Sequence, residues 1–203
     1  MPLLAALPLP AADPAALWAA LTAAGRGLNG AVQVVVVRGE GADFFAGTAV
    51  NGPSDEPPAA AIGWLRRPDL ITIAAISGRA SGPGLDVALA CDLRVVADDA
   101  QLSPSGSVGG TAALGELMGY PRALEFIVTG RAISGQRAAA VGLANLSVRP
   151  DTLHVAVDEL AAAILRSPGE VATVAKAVLM QSAADRLSVA AELASGLRLA
   201  NQS

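Results

Sequence analysis

A glycine-rich turn between an apolar strand and an apolar helix is the part of this sequence best suited to chemistry. It extends from Ile73 to Arg94 and reads IAAISGRASGPGLDVALACDLR. The pattern predicts a buried strand followed by a helix over residues 83–91, whose first N–H groups and positive dipole end face whatever lies in front of them. Backbone N–H groups arranged in this way can stabilise a developing oxyanion.

The same segment contains one carboxylate, Asp86, in the first turn of the predicted helix. It has two interpretations: a general base beside the oxyanion site, or a first-turn acid that stabilises the helix dipole. A two-carboxylate mechanism needs a second acid nearby. The sequence has none between Ala100 and Gly115, and the nearest candidate is Glu116. We therefore favour the dipole interpretation of Asp86.

Composition excludes several other kinds of site. One cysteine, Cys91, allows no disulfide framework, and together with the single histidine, His154, it leaves no ligand set for a metal. There is no G-x-S-x-G nucleophile motif, and the glycines of the turn do not have dinucleotide-binding spacing. A formal net charge of −4 without a basic stripe argues against a nucleic-acid partner.

The order of predicted elements indicates an α/β fold in one domain over residues 1–203. Asp13, Pro14 and Gly25 are interpreted as the N-cap, first residue and stop of an early helix. Predicted strands cover 32–37, 70–76, 93–96 and 143–148, and predicted helices cover 14–24, a short segment through Trp64, 83–91, 121–129, 134–141, 152–165, 170–182 and 188–200. We expect an irregular loop over 101–111 and no strand before residue 14.

Several segments in this order resemble the crotonase (enoyl-CoA hydratase/isomerase) superfamily. They are VVVVRGEGADFFAGT at 34–48, SGRASGPGLD at 77–86, ACDLR at 90–94, RALEFIVTGRAIS at 122–134, GLAN at 142–145, and the stretch from Ser167-Pro168 to Lys176. The resemblance covers most of the chain and identifies it as a shortened, divergent member. It implies a β-β-α spiral, here over about 14–148, and a helical trimerisation region over about 150–203.

The resemblance also implies an acyl-CoA site in which two backbone N–H groups hold the thioester oxygen. The first donor falls on Thr48 and the second on Pro83, and the residues expected around the thioester are Ala46, Gly47, Thr48, Gly82, Pro83 and Gly84. Proline has no N–H, so the second donor is missing unless Gly84 replaces it. The first acid of the family falls on Asp86, and the second falls on Gly106.

Three functional hypotheses follow from this resemblance. The first is an acyl-CoA (acyl-thioester) binding protein that has lost the two-glutamate hydratase site. The second is an active enoyl-CoA isomerase or weak hydratase that uses Asp86. The third is a non-catalytic structural or auxiliary subunit of another enzyme. Pro83 and the missing second acid favour the first.

The expected partners are an acyl-CoA thioester, further copies of the chain in a homotrimer or hexamer, and an auxiliary partner enzyme. We expect no metal and no separate cofactor, because coenzyme A enters only as part of the ligand. Arg79 and Lys176 are candidate contacts to its phosphates. The start of the chain lacks a basic segment, and no apolar run is long enough for a bilayer, so a cytoplasmic, non-membrane protein is expected.

Overall fold

In the computed structural model, residues 4–10, 13–47 and 57–181 are described. They form two compact units, the first extending to Arg166 and the second beginning at Ser167. Within these residues, no helix combines the length and apolarity needed to cross a membrane. The predicted helix over 188–200 lies outside the described part of the chain.

The first unit contains short helices around two sheets. Its strands are β1 (Leu4–Leu9), β2 (Val34–Gly39), β3 (Phe45–Ala46), β4 (Ile71–Ile76), β5 (Arg79–Ser81), β6 (Leu93–Ala97), β7 (Gln101–Leu102), β8 (Ile133–Ser134) and β9 (Leu146–Val148). Its helices are α1 (Pro14–Gly27), α2 (Ala59–Ile62), α3 (Pro83–Ala90), α4 (Val108–Met118), α5 (Tyr120–Thr129), α6 (Gly135–Ala140) and α7 (Leu153–Arg166), with 3-10 turns at Gly63–Arg66 and Pro150–Thr152. The second unit has a helix over 169–181.

The larger sheet is parallel throughout and has the strand order β1-β2-β4-β6-β9. The smaller sheet, β3-β5-β7-β8, is parallel except for its last pair. The continuous valines of β2 are buried because both faces of this sheet are covered. One core cluster includes Leu17, Phe45 and Leu85, and a second packs α7 residues such as Val157 against Val34 and Ile73.

The first strand corrects our expectation that the chain has no strand before residue 14. Residues Leu4 to Leu9 pair in parallel register with β2, from Leu4 beside Val34 to Leu9 beside Gly39. Pro8 is tolerated because β1 is the outer strand of its sheet, where a missing N–H leaves no neighbour unpaired. Pairing with β2 decides the conformation, and the local sequence does not reveal it.

Helix α1 begins as predicted but ends later. Asp13 is the N-cap, and its carboxylate accepts the Ala15 N–H at 2.9 Å. The helix continues through Gly25 to Gly27, so our interpretation of Gly25 as a stop is wrong. A Cβ at Gly25 would lie 2.4 Å from the indole Cδ1 of Trp64. The glycine is needed because the indole packs directly on the helix backbone.

The predicted loop over 101–111 is also partly wrong, because it contains β7 and the start of α4. Ser107 caps α4 by accepting the Gly110 N–H at 2.9 Å. Leu114 and Met118 then anchor the helix in the core. The glycine-rich start of this helix hides it from propensity arguments.

We predict that Gly25→Ala destabilises the protein by about 1–3 kcal/mol, because the added methyl group overpacks against Trp64. The matched control is Gly27→Ala in the same helix, where a Cβ would meet nothing within 4 Å. That control should gain about 0.4–1 kcal/mol from the reduced entropy of the unfolded chain. Urea unfolding of the two variants beside the wild type measures both effects, and equal stabilities would contradict the packing argument.

Candidate functional site: the end of β3 and the start of α3

The candidate site is formed where β3 ends beside β5 and where the chain then turns into α3. The two strands pair in parallel, with Phe45 beside Ala80 and Ala46 beside Ser81. This register brings Ala46 and Gly47 next to the glycine-rich turn identified in the sequence. The Ser81 hydroxyl donates a hydrogen bond to the Gly47 carbonyl at 2.8 Å.

Asp43 fixes the approach of the two segments. Its Oδ1 accepts the Arg79 backbone N–H at 2.8 Å, and its Oδ2 lies 2.7 Å from the Arg79 guanidinium Nη2. Gly78 has a φ of +55°, and a Cβ there would lie 2.4 Å from the Ala42 carbonyl oxygen. Arg79 is therefore engaged in holding the loop before β3, in addition to any role in binding phosphate.

Helix α3 begins at Pro83, directly after Gly82, whose φ of 54° favours glycine. Proline suits the first helical position because the N–H there has no intrahelical acceptor. The first N–H of α3 therefore belongs to Gly84. A Cβ at Gly84 would lie 2.7 Å from the Phe45 Cβ, and one at Gly47 would lie 3.1 Å from the Pro83 Cδ.

The structure thus brings five of the expected thioester residues together: Ala46, Gly47, Gly82, Pro83 and Gly84. The sixth, Thr48, lies outside the described residues. Gly47 and Gly84 are glycines for a steric reason, since the Phe45 side chain and backbone occupy the space beside both. Pro83 places a ring Cδ where other residues have an N–H.

Asp86 is buried in a hydroxyl clamp, by which we mean Asp86, Ser105, Ser107 and Gly110. Its side chain is 4% exposed, and its Oδ1 accepts hydrogen bonds from the Ser105 and Ser107 hydroxyls, both at 2.6 Å. Ser107 also caps α4 through the Gly110 N–H. The carboxylate therefore ties the first turn of α3 to the first turn of α4.

The clamp lies in the loop where the family would place its second acid. Gly106, the position expected for that acid, has a φ of +84°, and the serines on either side point at Asp86. Glu116, the nearest acid, is on an exposed face of α4, whereas Asp86 is buried. Two carboxylates do not meet here.

The far end of α3 is held by a buried cation that the sequence did not single out. The Arg94 side chain donates to the carbonyl oxygens of Leu143 (2.6 Å), Cys91 (2.8 Å) and Ala88 (3.2 Å). Burial lowers the pKa of the Arg94 guanidinium from its usual value. These bonds satisfy carbonyls at the C-terminal end of α3 and so fix the direction in which its N-terminus points.

The remaining candidates do not join the site. His154 is on an exposed position near the start of α7, and Cys91 is buried in the core. Lys176 belongs to the second unit and is 6% exposed, so a solvated helix face does not describe it.

Comparison with known proteins agrees with this geometry. The model of the enoyl-CoA hydratase/isomerase family matches residues 27–201. The chain belongs to this family. Its α/β fold with a parallel sheet is the crotonase fold.

Two solved structures and one curated relative illustrate the range of the family. A candidate enoyl-CoA hydratase from Thermobifida fusca YX in complex with acetoacetyl-CoA is 33% identical, covers 94% of this chain and 86% of its own, and has a TM-score of 0.76. A monofunctional enoyl-CoA isomerase from M. smegmatis is 28% identical, with 82% and 80% coverage and a TM-score of 0.74. The 4-chlorobenzoyl coenzyme A dehalogenase-1 of Arthrobacter sp is 30% identical over 79% of this chain and 66% of its own length.

The chain spans only part of the curated relatives that it matches. Three of them are covered over 38%, 54% and 66% of their own lengths. Membership of the family is therefore established by the match, while the activity has to be argued from the site itself.

We predict that Gly110→Ala breaks the hydroxyl clamp and destabilises the protein by about 1–3 kcal/mol. A Cβ at this position would lie 2.5 Å from Asp86 Oδ1 and 2.6 Å from Ser107 Oγ. Gly115→Ala, in the same helix with nothing within 4 Å of the added Cβ, is the control and should be neutral or slightly stabilising. Chemical unfolding of both variants tests this, and a harmless Gly110→Ala would contradict the clamp.

A second prediction concerns pH. The Arg79 side-chain hydrogen bond, followed by its backbone N–H, lowers the pKa of Asp43 below its usual value of 3.8. A lowered pKa in the folded state means that the stabilisation is complete above the unfolded value and is lost as the pH falls through the folded one. The stability difference between wild type and Asp43→Asn should therefore be constant near neutral pH and shrink below about pH 4.

Arg79→Gln provides the control for this titration. It removes the guanidinium but keeps the backbone N–H that bonds Asp43 Oδ1. The pH dependence should become smaller without vanishing. Acid unfolding followed by circular dichroism measures it, and an unchanged profile would show that Arg79 does not hold the Asp43 carboxylate.

Proposed function

We propose that this protein binds acyl-CoA thioesters at the junction of β3 and α3 and does not hydrate them by the two-carboxylate route. The observation that carries the proposal is Pro83 at the first position of α3. A thioester oxygen placed there meets one backbone donor fewer than in a complete oxyanion site. The solved Thermobifida fusca YX relative with acetoacetyl-CoA supports the choice of ligand class.

The acid/base side of the site supports binding over hydration. Hydration by two carboxylates needs one group to deliver water and another to manage the proton. Asp86 is held by two serine hydroxyls, and the nearest other acid, Glu116, is on an exposed helix face. Removal of one oxyanion donor alone costs about 10²–10³ in rate. Both effects act in the same direction.

An isomerase that uses Asp86 alone is the second candidate, and one observation favours it. Gly84 supplies the first N–H of α3 and packs directly on Phe45, so a donor remains close to the position that Pro83 leaves empty. The M. smegmatis relative is a monofunctional isomerase. Against this, a base must come within hydrogen-bond distance of the proton, and the Asp86 side chain is 4% exposed.

The assembly we propose is a homotrimer or a pair of trimers, with coenzyme A present only as part of the ligand. Helix α5 has three exposed apolar side chains spaced four residues apart, and these share one face: Tyr120 (75% exposed), Leu124 (43%) and Val128 (70%). An auxiliary partner enzyme is the alternative cover for such a face. Sedimentation of the purified protein decides between self-association and a monomer.

We predict that Pro83→Gly strengthens binding of butyryl-CoA by about threefold to tenfold, because it restores one N–H donor to the thioester oxygen. Pro83→Ala should do the same, which separates the donor effect from glycine flexibility. Free CoA, which has no thioester carbonyl, should bind both variants and the wild type equally. Isothermal titration calorimetry measures all three proteins with both ligands.

A hydration assay with crotonyl-CoA on the same samples completes the test. We expect no turnover by the wild type or by either variant, since the second carboxylate is absent from all of them. Turnover by the wild type would overturn the proposal and transfer the proton chemistry to Asp86. Absence of binding to either thioester or CoA would leave a structural subunit as the function.

A further inference from the structure

We infer that Ser81 is a positioning residue for the thioester site: its hydroxyl fixes the peptide plane that begins at the Gly47 carbonyl. The hydrogen bond joins Ser81 Oγ to Gly47 O at 2.8 Å across 34 residues of sequence. This inference rests on the proposed function, because it describes how the remaining donor of that site is held.

The hydroxyl acts where the strand ladder ends. The last paired residues of β3 and β5 are Ala46 and Ser81, so Gly47 lies one residue beyond the ladder. The Ser81 side chain extends the pairing by that one residue, because its hydroxyl takes the place of a further backbone donor. Ser81 is half-buried, which protects the bond from competition with water.

Packing allows Gly47 little freedom around this bond. A Cβ at Gly47 would lie 2.6 Å from the Phe45 Cε1 and 3.1 Å from the Pro83 Cδ. The glycine backbone therefore passes between an aromatic ring and the proline ring at the start of α3. The position is set by sterics, and the orientation of its carbonyl is set by the hydroxyl.

Planarity connects the carbonyl to the donor. In a trans peptide the C=O and the following N–H lie in one plane and point in opposite directions. A hydroxyl that holds the Gly47 carbonyl therefore also directs the N–H that follows it, which belongs to Thr48. Because Pro83 contributes no N–H, the direction of this group has a larger effect on the thioester than it would in a site with two donors.

A ligand-free experiment tests the hydrogen bond itself. The sequence contains two Gly-Thr pairs, 47–48 and 110–111. Labelling glycine with carbonyl ¹³C and threonine with ¹⁵N therefore gives two peaks in a carbonyl-correlated NMR spectrum. Ser81→Ala should shift the 47–48 peak, because its carbonyl loses a donor, and should leave the 110–111 peak unchanged.

The ligand experiment uses butyryl-CoA labelled with ¹³C at the thioester carbonyl. Ser81→Ala should weaken its binding by about threefold to tenfold and reduce the downfield shift of the bound carbonyl, while free CoA binds as before. Ser81→Thr, which keeps the hydroxyl, should restore both values. Ser103→Ala is the matched control, because Ser103 follows β7 on the other side of β5 and contributes its backbone N–H, at 3.0 Å from the Ala80 carbonyl, and not its hydroxyl.

The outcomes separate this inference from the proposed function. If the wild type binds butyryl-CoA but Ser81→Ala leaves both the 47–48 peak and the bound carbonyl shift unchanged, the inference is wrong and the proposed function stands. If the wild type binds no thioester, both fail, whatever the 47–48 peak does. A loss of affinity in Ser81→Ala with an unchanged bound carbonyl shift would also overturn the inference, since it would show only a weakened fold.

Discussion

The site depends on a single close approach between two pieces of backbone. The end of β3 passes against the start of α3 with no side chain at Gly47 or Gly84 to separate them, because Phe45 and Pro83 fill the space that a Cβ would need. Everything else serves this approach. The Asp43–Arg79 pair sets the loop before β3, and the carbonyls that bind Arg94 fix the far end of α3. A thioester site of this kind is a property of backbone spacing, and side-chain chemistry modifies it afterwards.

Pro83 shows how folding and catalysis can make different demands on one position. For the helix, proline at the first position costs nothing, since the N–H it lacks would have no partner within the helix. For an oxyanion, the same N–H is the group that matters. The two requirements conflict at this residue, and the sequence satisfies the requirement of the fold. The carboxylate chemistry follows the same pattern, because Asp86 serves as a link between two helices.

The sequence predicted those parts of the structure that depend on local pattern. The β-branched run of β2, the Asp13 cap of α1 and the Gly130 end of α5 appear as expected, the last with a left-handed φ of 63°. It did not predict β1, whose conformation comes from pairing with β2, or the length of α1, where Gly25 answers to Trp64, 39 positions away in the chain. The grouping of the site residues came from family resemblance. The Ser105 and Ser107 bonds to Asp86 cross 19 and 21 residues, and no local signal announces contacts of that range.

The hydroxyl clamp has a consequence for how this protein can change. A glutamate at position 86 would extend its carboxylate one methylene further, into space already filled by Ser105, Ser107 and the backbone of Gly110. An acid at position 106 would have to adopt a φ of +84° that side chains rarely accept. Positions 86, 105, 106, 107 and 110 are therefore epistatic, and no single substitution leads from this site to a two-carboxylate one. The arrangement acts as an evolutionary ratchet: each intermediate on the way back would lose a cap or a buried hydrogen bond before it gained an acid.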